Sequence, residues 1–155
     1  FENTILPTNL AALRFAARVT RRPYQLPAGP EALAVTATPA SVNAGQPVAL
    51  TATLNDTRFN NPNGSEPTQN VVAAEAYVDL PPWAPGATPL TLAAADGAFD
   101  ETIEPVQGTL DTTGWPTGRH LVFVRGQDAA GNWGAVAAVF VDVAVPVELQ
   151  AFDVD

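Results

Sequence analysis

The sequence predicts a mainly β protein: an immunoglobulin-like antiparallel β-sandwich of about seven strands, preceded by one α-helix. From Ala34 onward, apolar and polar residues alternate with a period of two, which is typical of half-buried strands. Turn residues interrupt this alternation repeatedly, and about seven short strands separated by turns are typical of immunoglobulin-like sandwiches. Before Pro23, the apolar residues instead recur with the period of a helix.

Residues 1–26 comprise the predicted helix and the segment that leaves it. Arginines cluster near the C-terminal end of the helix, where cations suit the helix dipole, and Pro23 ends it. Apolar residues occupy two sides of the helix, so both sides need to be covered. We therefore expect the outermost helix of a larger domain. One apolar side has Leu6, Leu10, Leu13 and Ala17, and the other has Ala12, Phe15 and Val19.

The rest of the chain divides into three parts. Residues 27–33 are rich in Pro and Gly and predict a semi-rigid linker. Residues 34–145 contain the sandwich, and residues 146–155 are a tail or the start of a further strand or module. A polar segment, residues 56–70, predicts a long loop between the second and third strands. The predicted strands cover residues 35–38, 48–54, 71–80, 90–94, 106–110, 120–128 and 136–145.

The composition excludes several classes of function. The net charge is −9, and all seven basic residues are arginines. Such a surface repels phosphate groups, so we expect no nucleic-acid partner. No run approaches the roughly 20 apolar residues of a membrane helix, so we expect no membrane insertion. The absence of cysteine excludes disulfides, thiolate zinc sites and cysteine nucleophiles. Because methionine is also absent, we expect the chain to start within a longer precursor.

Two parts of the chain resemble one known family. Residues 1–30, FENTILPTNLAALRFAARVTRRPYQLPAGP, resemble the end of the catalytic domain in bacterial zinc metallocarboxypeptidases of the carboxypeptidase A/T type. In that family the final helix leads into an RPY…P.GP segment. The β region is similar to the immunoglobulin-like module that follows in secreted members. The similar stretches are AYVDLPPWAPGA, AADGAFDETIE and TTGWPTGRHLVFVRGQDAAGNWGAVAAVF.

The resemblance implies that this chain is not itself an enzyme. The family's chemistry needs a zinc ion held by two histidines and a glutamate, a glutamate base and an arginine for the substrate carboxylate. The only histidine, His120, is followed by Leu-Val-Phe and lacks the His-x-x-Glu spacing. The catalytic glutamate would lie upstream of Phe1. Zinc therefore belongs to the parent catalytic domain, and the resemblance implies a secreted or cell-surface protein.

Several residues allow both a structural and a functional interpretation. Strand alternation places His120 with Val122 and Val124, facing the core, and predicts that Leu50 is also buried. Asp96, Asp100 and Glu101 could bind calcium through carboxylate oxygens, although Asp-Gly is first a turn signal. In the Asp128–Asn132 segment the polar side chains are expected to cap their own turn.

Tryptophans and chain termini are the remaining candidates for binding. Trp83, Trp115 and Trp133 could form a sugar-stacking surface, but tryptophans beside Pro and Gly more often close the ends of a sandwich core. The acidic C-terminal tail is either solvated or a strand that pairs with a neighbouring subunit. The candidate assembly residues are Leu10, Leu13, Phe15, Val19, Val147, Leu149 and Phe152.

Three functions fit these observations. The chain is an accessory module that stabilises, spaces or tethers the catalytic domain of an exported carboxypeptidase, with that domain or another copy of itself as partner. Alternatively, it is a structural subunit that assembles into a fibre or surface layer. In the third case it binds a polysaccharide or a protein. Residues 1–30 favour the first function, because a stand-alone binding module does not need them.

Overall fold

A computed structural model describes residues 29–57, 60–61, 64–65 and 68–144 of the chain. The described part contains ten strands and no helix; the predicted helix lies outside it. None of its elements is a helix that could span a membrane. The strands are β1 (Glu31–Thr38), β2 (Ser41–Asn43), β3 (Val48–Asn55), β4 (Asn60–Asn61), β5 (Gly64–Ser65), β6 (Val71–Val78), β7 (Leu90–Ala94), β8 (Ile103–Leu110), β9 (Gly118–Asp128) and β10 (Ala137–Ala144).

Eight strands form two packed layers that share one strand. The hydrogen-bonded order is β1-β3-β8-β7-β6-β9-β10-β2. The first part of β7 pairs with β6, whereas Ala93 and Ala94 pair with β8, so β7 passes from one layer to the other. These residues form a mainly β, immunoglobulin-like fold, as the strand count predicted. The β4–β5 hairpin lies within the predicted long loop.

The predicted antiparallel arrangement is wrong for one strand pair. β1 pairs with β3 antiparallel, and after the cis Thr38–Pro39 bond the chain continues into β2, which pairs with β10 parallel. The sequence did not predict β2, because it has three residues between Pro39 and the turn at Gly45 (φ 83°). Since consecutive strands β1 and β2 end the strand order, the two layers nearly close on themselves.

The first described residues are packed into the domain. β1 begins at Glu31, so residues 31–33 of the expected linker belong to the sheet. Gly29 and Pro30 are buried as well. A Cβ atom built on Gly29 would collide with backbone atoms of Asn132 and Gly134, so only glycine fits there. The described β module therefore includes residues 29–33 and does not begin at Ala34.

The core lies between the two layers and matches the predicted alternation. Leu50, Val122 and Val124 are fully buried, which confirms the predicted register of β3 and β9. Gly126 lets Leu54 and Pro30 approach β9 closely, because a Cβ atom there would lie 2.6 Å from a Leu54 methyl group. The other fully buried large residues are Leu54, Leu92, Leu110, Val48, Val71, Val106 and Val141.

The register defines two ends of the sandwich. At the end that we call the amino end, Val71 of β6 pairs with Asp128 of β9, and β1 begins nearby. At the opposite end, the carboxyl end, Val78 pairs with Val122, and β10 finishes at Ala144. The described chain thus begins at one end of the sandwich and leaves from the other.

Candidate interaction face

The side chains of β6, β9 and β10 that point away from the core form a continuous surface, which we call the outer face. On β9, His120, Val122 and Val124 point into the core, so the intervening residues point outward. The strand pairing brings these residues beside outward residues of β6 and β10. The outer face consists of Glu75, Tyr77, Arg119, Leu121, Phe123, Arg125, Ala138, Phe140 and Asp142.

The centre of the outer face is apolar. Tyr77 pairs with Phe123 across β6 and β9, and Phe140 pairs with Leu121 across β9 and β10. Phe140 is 53% exposed. The solvent-facing side of an antiparallel sheet normally has polar residues, so aromatic and aliphatic neighbours on three adjacent strands are unusual. Leu121 and Phe123 are half-buried and Tyr77 is buried, so the exposed apolar area is centred on Phe140. Apolar area on the outer side of a sheet is a candidate surface for contact with another protein segment.

A cluster of side chains around Arg125 lies where the outer face meets the amino end. The Arg125 guanidinium lies 4.0 Å from the ring centroid of Trp133 and 5.2 Å from that of Tyr77. It donates hydrogen bonds to Glu75 Oε2 at 2.9 and 3.2 Å and to the Tyr77 hydroxyl oxygen at 2.8 Å. The Tyr77 hydroxyl in turn donates to Glu75 at 2.6 Å. Burial, followed by that hydrogen bond, raises the pKa of Tyr77.

A second arginine closes the outer face near the carboxyl end. Arg119 donates to both carboxylate oxygens of Asp142, at 2.9 and 3.1 Å, and its guanidinium lies 5.0 Å from the Phe140 ring centroid. Both partners are exposed, so this pair contributes little to folding. Arg119 and Arg125 are the only arginines in the described part of the chain, and both frame the apolar centre.

His120 is buried at the carboxyl end, which confirms its predicted core-facing position. Its Nδ1 lies 2.7 Å from Asp79 Oδ2, and its Nε2 lies 2.9 Å from the Pro116 carbonyl oxygen. Both partners are hydrogen-bond acceptors, so a protonated ring, with an N–H group on each nitrogen, satisfies both of them. Burial opposes the charge, but the Pro116 bond and the bond and charge of Asp79 outweigh it and raise the pKa of His120.

The three tryptophans lie in different places. Trp115 packs against the core and lies 4.7 Å from the His120 ring, as expected for a residue that closes one end. Trp83 is 62% exposed, so the prediction that it closes the core is wrong. Trp133 forms an isolated β-bridge with Gln127. Gln127 lies seven residues along β9 from His120, so Trp133 is about 23 Å from the end where Trp115 packs. The fold therefore does not bring the three rings into one sugar-stacking surface.

The calcium candidates are on the β7–β8 connection. Asp96 Oδ1 accepts the backbone N–H of Ala98 at 3.1 Å, as in a turn. The backbone N–H groups of Asp100 and Glu101 donate to Glu104 Oε2 at 3.3 Å. No three His, Cys, Asp or Glu side chains form a potential metal site among the residues with described positions.

Two acidic residues near the amino end, Asp128 and Glu104, accept hydrogen bonds from within the fold. The Asp128 carboxylate accepts the backbone N–H of Asn132 at 2.8 Å and its side-chain amide Nδ2–H at 3.0 Å, which confirms that it caps its own turn. Glu104 has no solvent exposure, and its Oε1 has no hydrogen-bond partner. Burial raises the pKa of Glu104, the two backbone N–H groups oppose this, and the charges of Asp96 and Glu101 add to it.

The sequence-based assembly candidates all lie outside the described residues, in residues 1–28 and 145–155. The outer face was not among the candidates, although the sequence contains a signal for it. Alternation disappears in His120-Leu-Val-Phe-Val and in Ala138-Val-Phe-Val, where apolar residues occupy both faces of the strand. That pattern is typical of strands that are covered on both sides.

The comparisons with known proteins give only structural similarity. No protein-family model and no curated protein matches the chain. The fold is similar to fibronectin(III)-like modules of Clostridium thermocellum CbhA, with 16% identity and a TM-score of 0.43 over 73% of this chain and 96% of that one. It is also similar to the Pseudomonas fluorescens alkylpurine DNA glycosylase AlkC, bound to DNA containing an abasic site analog. That match has 20% identity and a TM-score of 0.42, over 75% of this chain and 31% of that one. At this level of similarity, neither structure indicates a function.

Proposed function

We propose that the chain is a non-catalytic accessory module of an exported zinc carboxypeptidase, which stabilises or spaces the catalytic domain. The observation that supports a packing role most directly is the outer face. Leu121, Phe123 and Phe140 place apolar area on the side of a sheet that normally faces water. The carboxypeptidase parentage itself derives from the resemblance of residues 1–30.

His120 supports a non-catalytic role. A zinc ligand offers the lone pair of a neutral imidazole nitrogen. Both nitrogens of His120 instead lie within hydrogen-bond distance of acceptors, Asp79 and the Pro116 carbonyl oxygen. A zinc ion would have to replace one of these two bonds in a buried position. The chain has no second histidine to complete the family's ligand set.

The positions of the chain ends fit a spacing role. The described chain begins beside Gly134 at the amino end and finishes at Ala144 at the carboxyl end. The eight residues of β10 separate these ends by roughly 25 Å. A module of this kind receives the chain at one end of the sandwich and releases it at the other.

A structural subunit that assembles with other copies is the second candidate. The same outer face favours it, because an apolar patch can also be covered by a second copy. Chain ends on opposite sides would permit head-to-tail assembly. Measurement of the molar mass of the full chain by light scattering separates the two candidates, since only the subunit forms larger species as concentration rises.

Two experiments test the proposed accessory role. The purified chain, incubated with zinc and a model peptide, should release no C-terminal residue; zinc-dependent release that a chelator abolishes would refute it. The reading frame upstream of the Phe1 codon should encode His-x-x-Glu and a second histidine. A frame without these ligands would refute the carboxypeptidase parentage and leave only an immunoglobulin-like module.

A further inference from the structure

We infer that residues 1–22 of this same chain cover the outer face, with Ala12, Phe15 and Val19 directed toward Leu121, Phe123 and Phe140. This would place a helix on the outside of the β6–β9–β10 layer, which is a common arrangement for a sheet with apolar residues on both faces. The inference goes beyond the proposed function, because it names the occupant of the face and does not require a carboxypeptidase parent.

The strand sequences indicate that the outer face is covered. β9 has Leu121 and Phe123 between core residues Val122 and Val124, so apolar side chains leave both faces of the strand. Phe140 and Ala138 repeat this on β10. By contrast, the second half of β8 has exposed Gln107 and Thr109 between buried Val106 and Leu110, and its exposed Ile103 lies at the end of the strand. Among the described residues, the two layers therefore differ at their outer centres, which are apolar on β9 and β10 and polar on β8.

The described chain begins beside the outer face. Gly29 is wedged against Asn132 and Gly134, next to Trp133, whose ring stacks on Arg125 of the outer face. Six residues, 23–28, connect Gly29 to the predicted helix and can span at most about 20 Å. Leu121 lies four residues along β9 from Arg125, or about 13 Å. The connection is therefore long enough to return the helix over the face.

Charge favours this segment over a second copy as the occupant. Residues 1–26 have Arg14, Arg18, Arg21 and Arg22 against Glu2 alone, whereas the whole chain has a net charge of −9. Both arginines of the described part are already bonded to carboxylates. A second sandwich would bring more negative charge to the face, while the segment brings positive charge to an acidic domain.

The chain contains no cysteine, so engineered pairs can report this contact without competing thiols. We would combine Ala138→Cys, an exposed position of the outer face, with one of Ala11→Cys, Ala12→Cys, Ala16→Cys and Ala17→Cys in the full chain. A disulfide requires Cβ atoms within about 4.5 Å, so it forms only if the segment lies on the face. The matched control replaces Ala138→Cys by Thr109→Cys, an exposed position on the outer side of the other layer.

Circular dichroism first confirms that each variant is folded. Disulfide formation under mild oxidation is then monitored by gel mobility without reductant and by intact mass. At least one of the four Ala138→Cys pairs should close within one chain about 10-fold faster than its Thr109→Cys control, because docking raises the effective concentration of the thiols. Equal rates on both layers, or a predominance of disulfides between two chains, would overturn the inference. The peptidase assay and the upstream reading frame are unaffected by either result.

Discussion

At the scale of single residues, His120 shows what strand alternation predicts and what it leaves out. Alternation correctly places the ring in the core. It does not identify Asp79, which is 41 residues away and reaches the ring from a backbone conformation with φ 60° at the end of β6. A pairing of this kind depends on how two strands end side by side, and no local pattern encodes that.

The His120 charge predicts a pH dependence of stability. The folded-state pKa is raised, so the stabilisation is complete below the unfolded pKa of about 6.5 and is lost as pH rises through the folded pKa. His120→Gln should therefore be less stable than wild type by about 1–3 kcal/mol at pH 5.5, and the difference should shrink above neutral pH. Urea unfolding at a series of pH values measures this. A stability difference that stays constant with pH would show that the ring is neutral. Asp79→Asn removes the partner carboxylate, so it should reduce the pH dependence of stability as His120→Gln does.

Glu104 predicts a gain of stability on removal of a charge. The pKa of Glu104 is raised in the folded state. The contribution of this residue to the free energy of unfolding is therefore fully present below the ordinary glutamate pKa and declines as pH rises through the folded pKa. Glu104→Gln keeps an acceptor for the N–H groups of Asp100 and Glu101 and has no ionisation. We expect it to raise the free energy of unfolding by about 1–2 kcal/mol at pH 7 and to change little at pH 4. The control is Glu101→Gln, an exposed neighbour; a destabilised Glu104→Gln at pH 7 would contradict the explanation.

At the scale of elements, the seven predicted strands all exist, and most of their bounds agree within three residues. Alternation and turn residues are local signals, which is why they suffice for β3, β7 and β9. The sequence could not predict β2, because a three-residue strand is too short to show a period. It also could not predict that β7 passes between layers, because its two halves differ only in their partners, β6 and β8.

The β3 register gives a prediction at this scale. Leu50 is fully buried opposite Gly108 of β8. Leu50→Ala should lower the free energy of unfolding by about 2–5 kcal/mol, because it removes buried methyl groups and leaves a cavity. Thr109→Ala, an exposed change on the paired strand, should stay within about 0.5 kcal/mol of wild type. Comparable losses for both variants in thermal unfolding would be inconsistent with this core.

At the scale of the whole molecule, the sequence predicted where to look for association only in part. It assigned the assembly residues to the two terminal segments, which lie outside the described residues. It missed the outer face, although the loss of alternation in β9 and β10 was visible. The reason is that a strand with apolar residues on both faces is also expected in the centre of a core. Only the arrangement of the layers shows that Leu121 and Phe123 point outward.

The inferred cover of the outer face predicts the association state. If Phe15 is buried against the face, the full chain should be monomeric by light scattering, because its apolar centre is hidden. Phe15→Asp should uncover that centre and make the molar mass rise with concentration. Thr20→Asp adds the same charge outside the two apolar sides of the predicted helix and should remain monomeric. Association of wild type, or no response to Phe15→Asp, would argue for a different cover.

The parallel pairing of β2 with β10 has a mechanical consequence. The described chain begins at the amino end and finishes at the carboxyl end, so tension applied at Gly29 and Ala144 pulls along the strands and not across them. β2 and β10 are joined at three residue pairs, Ser41 with Asp142, Val42 with Val143 and Asn43 with Ala144, and Asp142 also donates to the Ala40 carbonyl oxygen. Under lengthwise load the bonds of this short ladder share the force and must break together, so we expect them to resist extension of the module.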